Sequence, residues 1–207
     1  MYYELYSGIV QSDSDIASCS FIKEIYGIDY RKILGKDNRN LDGYSIIEPK
    51  KNPDSLCRIP VSCWDKLYRH SFIEKFSFPE NLKFEDYPMS INMLGSTNQI
   101  FKMKRSYYHY RVRPNSLTTS DQKIFKPNTL DIFECNDQIK KFYMENGLLT
   151  IFEEILNRIF IINSISQLIP ILSASMPFSK KKCLINYYIN LMDIELSNWE
   201  ANDFYKE

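Results

Sequence analysis

The chain has 207 residues, a length that suits one domain or one domain with an appendage. Hydrophobic residues make up 44% of it and charged residues 25%, as in an average soluble globular protein, which excludes a disordered, collagen-like or coiled-coil chain. The 26 Lys and Arg residues balance the 26 Asp and Glu residues, so the charge does not indicate nucleic acid as a partner.

The glycines and cysteines exclude several common kinds of site. The 6 glycines are too scattered to build a G-x-G-x-x-G dinucleotide fingerprint or a Walker-type phosphate loop. The 5 cysteines lack C-x-x-C spacing and only 2 histidines accompany them, so the sequence predicts no structural metal site. Free thiols and an N-terminus without the pattern of a signal peptide favour a cytoplasmic protein.

The first half of the chain predicts a helix followed by strands. Apolar spacing in residues 1–11 predicts a short amphipathic helix. The segment "DIASCSFIKEIYG" then predicts a strand with Ala17, Cys19 and Phe21 on one face, and "IDYRKIL" predicts a returning strand. Residues 35–55 are polar and contain prolines and glycines, which predicts a loop with a short strand or helix at "YSII".

The middle of the chain alternates between strand and helix patterns, and the rest is helical. "PVSCWDKLY" predicts a strand, "SFIEKF" a helical turn and "EDYPMSINMLGST" a helix, followed by two short strands at "QIFKMKR" and "SYYHYRV". After Pro127 the period becomes helical, in segments 128–145, 149–173 and 178–192. The sequence therefore predicts an α/β fold with a mixed sheet and flanking helices in residues 1–126, and an all-α region in residues 127–207.

An uncharged run of 21 residues, from Ile159 to Ser179, precedes three lysines. Its length suffices for a membrane span, but five serines, two prolines, Asn163 and Gln167 make it a poor solute in hydrocarbon. A buried helix is the favoured interpretation, followed by peripheral membrane contact through residues 159–182 and then by a true span.

Adjacent acids at Glu85 and Asp86 lie where a loop should lead into a helix. A carboxylate at the edge of a cleft can accept a proton from a hydroxyl group, which would make it a general base. Acids also occur at helix N-termini for capping and dipole reasons alone, and this alternative is the commoner one.

Two further segments carry candidate binding residues. In "CWDKLYR", Trp64 can stack on a sugar ring or fill the core, and Lys66 can meet a phosphate or simply reach solvent. In "YHYRVRPNSLTT", Arg113 and Ser116 lie in an extended segment whose guanidinium and hydroxyl groups suit phosphate oxygens. A solvated basic loop is the equally simple alternative.

The order of these segments resembles the second half of bacterial family-2 glycosyltransferases of the GT-A fold, as encoded in capsule and exopolysaccharide clusters. The shared pattern is W-[ND]-K-L-Y-[RK], then F-P-x-x-x-x-x-E-D, then Y-x-Y-R-x-x-x-x-S-[IL]-[TS]. The likeness covers about residues 1–120 and extends loosely into the tail. No single segment is diagnostic, but the ordered set is fairly specific.

The resemblance implies a mechanism and roles for residues. Asp86 would deprotonate a hydroxyl of a glycan or lipid-linked acceptor, which would attack the anomeric carbon of a nucleotide-sugar with inversion. Trp64 and Lys66 would border the cleft on its acceptor and phosphate side. Arg113 and Ser116 would lie on a loop over the donor diphosphate.

One departure from the family concerns the metal. The resemblance implies Mn²⁺ or Mg²⁺ in a complete enzyme, held by a D-x-D motif that ends a nucleotide-binding half in front of the matched region. Asp13 and Asp15 have D-x-D spacing, but they follow a helix end and a polar turn rather than an apolar strand, so an ordinary turn is the favoured interpretation. The expectation is therefore a truncated enzyme with weak or no activity alone, or a non-catalytic remnant or subunit that pairs with a separate nucleotide-binding half.

Overall fold

The structure is a computed structural model, and it describes residues 1–25, 28–29, 42–113 and 127–196. The chain divides into two compact units. The first contains Met1–Pro79 and Asp86–Arg113, and the second contains Glu80–Glu85 and Pro114–Glu207.

The first unit is an α/β structure. Its helices are α1 (Tyr2–Ser12), α2 (His70–Ile73) and α3 (Asp86–Ser96), with a 3₁₀ turn at Pro53–Arg58. Its strands are β1 (Ile16–Ile25), β2 (Ile28–Asp29), β3 (Tyr44–Ile47), β4 (Lys66–Tyr68) and β5 (Ile100–Val112). The described strands form one mixed sheet in the order β2-β1-β5-β3, with β4 also paired to β1. The predicted α/β class with a mixed sheet and flanking helices is confirmed.

The long strands β1 and β5 form the centre of this sheet. They run parallel, whereas β2, β3 and β4 pair antiparallel with their neighbours. The ladder between β1 and β5 shifts register between Ser18 and Phe21, so extra residues of β5 are accommodated there. Such a bulge bends a strand and re-aims its side chains.

Helix α1 covers one face of the sheet. Leu5 and Ile9 of the helix pack with Ala17 and Cys19 of β1 and with Phe101 of β5, and all five are buried. Gly8 permits the close approach, since a Cβ atom there would lie 2.4 Å from two ring atoms of Phe101. The predicted N-terminal helix is confirmed, and its spacing of apolar residues is what places this face on the sheet.

Two predicted strands in the middle of the chain need correction. "QIFKMKR" and "SYYHYRV" are not separate strands but one strand, β5, of 13 residues, because the register shift lets the ladder with β1 continue past the polar residues between them. In "PVSCWDKLY", only Lys66–Tyr68 is a strand. Residues 60–65 instead curve around the Lys66 ammonium group, which donates hydrogen bonds to the backbone carbonyls of Pro60 and Ser62.

The second unit is helical throughout residues 127–196. A 3₁₀ turn at Pro127–Leu130 leads into α4 (Asp131–Glu145), α5 (Leu149–Ser166), α6 (Leu168–Ser173) and α7 (Phe178–Glu195). The three predicted helical segments are therefore confirmed, except that the second is divided into two helices near Gln167.

Helix α5 is the core helix of this unit. Its buried residues include Phe152, Ile155, Leu156 and Phe160, and buried Tyr188 of α7 donates to the carbonyl of Ser164 at 2.7 Å. Within the described part of the chain, the stretch Leu149–Ser173 is long and apolar enough to cross a membrane by length and composition. The core helix of a soluble protein meets the same criterion, so this finding is weak support for a span.

Candidate functional site

The face of the sheet opposite α1 carries an aromatic cluster centred on Trp64. The indole stacks on Tyr108, with ring centres 4.2 Å apart and planes inclined by 25°, and on Tyr110 at 5.4 Å and 19°. Phe21 meets it edge to face at 5.0 Å. Because alternate residues of a strand share a face, β5 presents both tyrosines to the indole together. All four rings are half-buried, which leaves part of their area open to a ligand.

Next to Trp64 lies a buried ion pair. The Nζ of Lys66 is 2.7 Å from Oδ1 of Asp65, and neither side chain is exposed at all. The same ammonium donates to the carbonyl oxygens of Pro60 and Ser62 at 2.5 Å each, so it has three acceptors from the protein. Burial lowers the pKa of Lys66, and the neighbouring Asp65 carboxylate opposes that shift.

This geometry shows which groups the Lys66 ammonium contacts within the protein. An ammonium group with three acceptors and no exposed side-chain surface has its donors turned toward the protein, not toward a ligand phosphate. Its contacts hold the loop of residues 60–65 in a curve beneath Trp64. Lys66 therefore holds the loop that carries the indole. Its expected position on the acceptor and phosphate side of the cleft stays a prediction.

A second lysine extends the polar network. The Nζ of Lys102 on β5 donates to Ser18 Oγ at 3.0 Å and to the Cys19 carbonyl at 3.1 Å, and Ser18 Oγ donates to Asp65 Oδ2 at 3.4 Å. Burial lowers the pKa of Lys102, partly offset by the Asp65 carboxylate. One carboxylate thus serves two lysines, directly at Lys66 and through a hydroxyl at Lys102, which leaves a net positive charge under this face of the sheet.

Helix α3 is tied to the loop that carries Trp64. Ser90 of α3 donates its hydroxyl to the carbonyl of Val61 and lies 3.6 Å from the Cys63 sulfur. The helix begins at Asp86, which is half-buried, and Pro88 lies in its first turn, where a missing N–H is tolerated. The structure therefore connects Asp86, the predicted base, to the loop that carries Trp64 through helix α3 of the first unit.

The other predicted site residues are Glu85, Arg113 and Ser116. Glu85 is exposed and ends the segment Glu80–Glu85 of the second unit, in which Lys83 donates its N–H to Asp131 of α4 at 2.9 Å. Arg113 is exposed just beyond the end of β5. Ser116 lies outside the described residues.

Asp13 and Asp15 do not form a metal site in this structure. The Arg69 guanidinium lies 3.0 Å from Asp13 Oδ1 and 3.7 Å from Asp15 Oδ1, so one cation already pairs with both carboxylates. Asp15 also accepts from Thr97 Oγ1 at 3.2 Å. In the described ranges, no three His, Cys, Asp or Glu side chains cluster as metal ligands. The residues described here therefore do not fit the divalent metal that the resemblance implies.

A cavity of about 250 Å³ lies on the α1 side of the sheet, away from Trp64. Its walls include Gly8 and Gln11 of α1, Phe101 and Arg105 of β5, and Tyr44 of β3. None of the residues predicted from the motifs lines it. The aromatic cluster and this cavity are thus separate features of the first unit.

Sequence reasoning missed several members of the cluster around Trp64. Asp65, Lys102, Tyr108 and Tyr110 belong to it, but none was predicted as a site residue. The alternation of Tyr108, His109 and Tyr110 does indicate two aromatic rings on one face of a strand. Nothing in the local sequence around Lys102 indicates that it approaches Asp65.

Comparison with known proteins finds one curated protein that is similar in sequence and one solved protein that is similar in fold. No family model matches the chain. The chain is 28% identical over 164 residues to the "Uncharacterized glycosyltransferase EpsJ" of Bacillus subtilis (strain 168), and the match covers 76% of this chain and 46% of that protein. It is thus similar to a protein described as a glycosyltransferase.

Among solved structures, the chain is similar to S. aureus TarS 1-349 in complex with UDP, with a TM-score of 0.50 and 18% identity over 77% of this chain and 42% of that one. The complex of the same protein with UDP-GlcNAc gives a TM-score of 0.46 at 16% identity. At this identity the first likeness shows the fold alone. The chain spans less than half the length of each of these proteins.

Proposed function

We propose that this chain is the acceptor half of a family-2 glycosyltransferase with a GT-A fold. The complete enzyme transfers a sugar from a nucleotide-sugar to a glycan or lipid-linked acceptor in surface polysaccharide synthesis. The observation that carries the proposal is the connection of Trp64 to the helix that begins at Asp86, through the hydrogen bond from Ser90 to the Val61 carbonyl. Similarity to a glycosyltransferase in sequence supports the same reaction class.

The aromatic cluster suits the acceptor. Carbohydrate rings present C–H faces that pack on aromatic rings, and Trp64 with Tyr108 and Tyr110 offers a half-exposed aromatic surface held rigid by stacking. We assign this surface to the acceptor sugar and Asp86 to the proton of the attacking hydroxyl. The reaction forms a bond from the acceptor oxygen to the anomeric carbon and breaks the bond to the nucleotide diphosphate, with inversion.

The donor side of the reaction is assigned elsewhere. Neither Lys66, which is buried, nor the Asp13 and Asp15 pair, which binds Arg69, suits a diphosphate or a metal. We therefore assign donor and metal binding to a nucleotide-binding half other than the residues described here, and we expect weak or no transfer by this chain alone. The proposed location is the cytoplasm, at the inner face of the cell membrane.

Calorimetric titration with a panel of nucleotide-sugars and Mn²⁺ tests the proposal. The chain is compared with a version extended by the coding sequence upstream, or with the chain mixed with a neighbouring nucleotide-binding polypeptide. We expect donor binding and sugar transfer only in the extended or mixed protein. Trp64→Ala in that protein should raise the KM for the acceptor while donor affinity stays constant.

Two outcomes would contradict the proposal. If the extended and the mixed proteins are folded but bind no nucleotide-sugar, the chain is a non-catalytic remnant. Robust transfer by the 207-residue chain alone would show that donor binding does not need a second half.

A further inference from the structure

The second unit exposes three large apolar side chains at the junction of α6 and α7. Ile169 is 60% exposed, Leu172 is 54% exposed and Phe178 is 80% exposed. Ile169 and Leu172 are three residues apart on α6 and therefore share a face of that helix, whereas Ile171 is buried inside the unit. These three residues are called the α6–α7 apolar patch below. Large apolar side chains exposed on adjacent helices in this way indicate a surface of interaction.

Hydrogen bonds hold the helices that carry the patch against each other and against α5. The Nζ of Lys181 donates to the carbonyl of Leu172 at 2.7 Å, which joins the start of α7 to the end of α6. Farther along α7, the Tyr188 hydroxyl donates to the Ser164 carbonyl of α5. The three apolar side chains are therefore exposed while the helices are packed together, and no helix has to separate from the unit to expose them.

The charged residues near the patch in sequence indicate what kind of surface it binds. Lys180 and Lys182 are exposed in the first turn of α7, directly after Phe178, and that turn contains no acid. The sequence contains no acidic residue between Glu154 and Asp193. An apolar surface followed along the chain by lysines and by no nearby acid is complementary to an anionic membrane surface, where apolar side chains enter the interface and lysines stay at the headgroups.

We propose that the α6–α7 apolar patch, with Lys180 and Lys182, is a peripheral binding site for an anionic lipid surface. Ile169, Leu172 and Phe178 insert into the headgroup and acyl boundary, and the two lysines bind lipid phosphates. Helix α5 stays in the core of the unit, because most of its apolar residues, including Phe152, Leu156 and Phe160, are already buried there. The chain therefore lies on the membrane and does not cross it.

Vesicle co-sedimentation of the full chain tests this site without any nucleotide-sugar, so its result is independent of the proposed transfer reaction. The vesicles contain phosphatidylcholine alone or with phosphatidylglycerol in a roughly two-to-one ratio. We expect binding to the anionic vesicles and weaker binding at high salt, since salt screens the lysines. Each lysine contributes roughly fivefold to partitioning, so Lys180→Gln with Lys182→Gln should weaken binding about 25-fold.

Matched control variants distinguish binding through the patch from nonspecific adsorption to vesicles. The triple change of Ile169, Leu172 and Phe178 to Ser should weaken vesicle binding by on the order of a thousandfold, since each buried apolar side chain contributes roughly tenfold or more. Ile194→Ser, at a side chain that is 75% exposed at the other end of α7, should have no such effect. Lys141→Gln on α4, where the lysine is also exposed, is the control for charge.

The proposal is overturned if the wild-type chain does not sediment with anionic vesicles, or if the control variants weaken binding as much as the test variants. It is also overturned if the triple variant converts a dimer to a monomer in sedimentation velocity while vesicle binding is unchanged. That last result would make the patch a contact between copies of the chain.

Discussion

The carboxylate of Asp65 and the ammonium of Lys66 lie 2.7 Å apart with neither side chain exposed to solvent. Both belong to a loop and strand next to Trp64, and Asp65 is also linked to Lys102 through Ser18. A buried pair of this kind is held by many polar partners at once. It therefore fixes the loop that carries the indole, and its removal should affect both stability and the shape of the site.

Replacing Lys66 by Met should destabilise the first unit strongly. The change leaves the Asp65 carboxylate buried without its direct cation, and breaking one partner of a buried pair costs about 3–5 kcal/mol. Urea unfolding followed by circular dichroism measures the loss. The double variant Asp65→Leu with Lys66→Met should recover much of it, because no uncompensated charge then remains. A loss below about 1 kcal/mol in the single variant, as for an exposed pair, would show that the pair is solvated.

The lowered pKa of Lys102 predicts how the free energy of unfolding depends on pH. Burial lowers the pKa of its ammonium group in the folded state. Between that lowered pKa and the unfolded value of about 10.4, the unfolded chain binds more protons, so the free energy of unfolding rises with pH there. Removing the group by Lys102→Met should remove part of this rise. Lys66, whose pKa is also lowered, stays in both proteins, so the difference between their curves reports Lys102.

The measurement is the free energy of unfolding of both proteins at several pH values below 10.4. The wild-type curve should climb relative to the Lys102→Met curve as the pH increases. Parallel curves across this range would mean that Lys102 is as well solvated in the folded protein as in the unfolded one.

Gly8→Ala should lower the melting temperature of the first unit. A Cβ atom at this position would lie 2.4 Å from ring atoms of Phe101, so α1 or the ring must move. Overpacking costs about 1–3 kcal/mol, which exceeds or offsets the roughly 1 kcal/mol that alanine gains over glycine in a helix. Phe101→Leu in the same chain should reduce the loss attributable to Gly8→Ala. Tyr3→Ala, at an exposed position of α1, is the control, and an unchanged or higher melting temperature for Gly8→Ala would contradict the close packing.

Several elements of the first unit were predicted from the sequence. Helix α1 is the clearest, since Leu5 and Ile9 lie four residues apart and are both buried. Strand β1 and helix α3 were also predicted, although β1 is buried continuously from Ile16 to Cys19 and α3 is buried at most of its positions. Strand β5 was predicted as two strands because Lys104, Arg105 and Ser106 interrupt its apolar pattern. Its continuity depends on pairing with β1, which is far away in sequence, and local composition does not contain that information.

The contacts of the site residues also depend on segments that are distant in sequence, so they could not be predicted from local patterns. Trp64 was predicted as a binding residue from its motif, but the rings that stack on it come from β1 and β5 and depend on the register between those strands. The sequence pattern left Lys66 either at a phosphate or in solvent, and the family resemblance implied that it borders the acceptor and phosphate side of the cleft. Its burial follows from the curve of residues 60–65, which leaves three acceptors around one ammonium group. Polar networks built from distant segments are not visible in a local pattern.

The last prediction concerns Asp86 in an active, extended form of the enzyme. A sugar hydroxyl is a weak nucleophile at neutral pH, and a positioned general base accelerates its attack by roughly 10²–10⁴-fold. Asp86→Asn keeps the size of the side chain and most of its capping ability but removes the basic oxygen. It should therefore lower kcat by that factor while the Kd for the nucleotide-sugar and the melting temperature change little. Glu85→Gln should be milder, because Glu85 is exposed and precedes the helix that Asp86 begins.

Thermal unfolding distinguishes this role from capping at the start of α3. Loss of a cap costs about 1 kcal/mol and would lower the melting temperature without affecting the chemical step. Asp86→Ala provides the comparison, since it removes both the base and the cap. If Asp86→Asn keeps a near-normal kcat and Asp86→Ala only melts earlier, Asp86 is a capping residue and the general base lies elsewhere. If both variants lose turnover and only Asp86→Ala loses stability, the two roles are separable and the carboxylate oxygen is the group that the reaction needs.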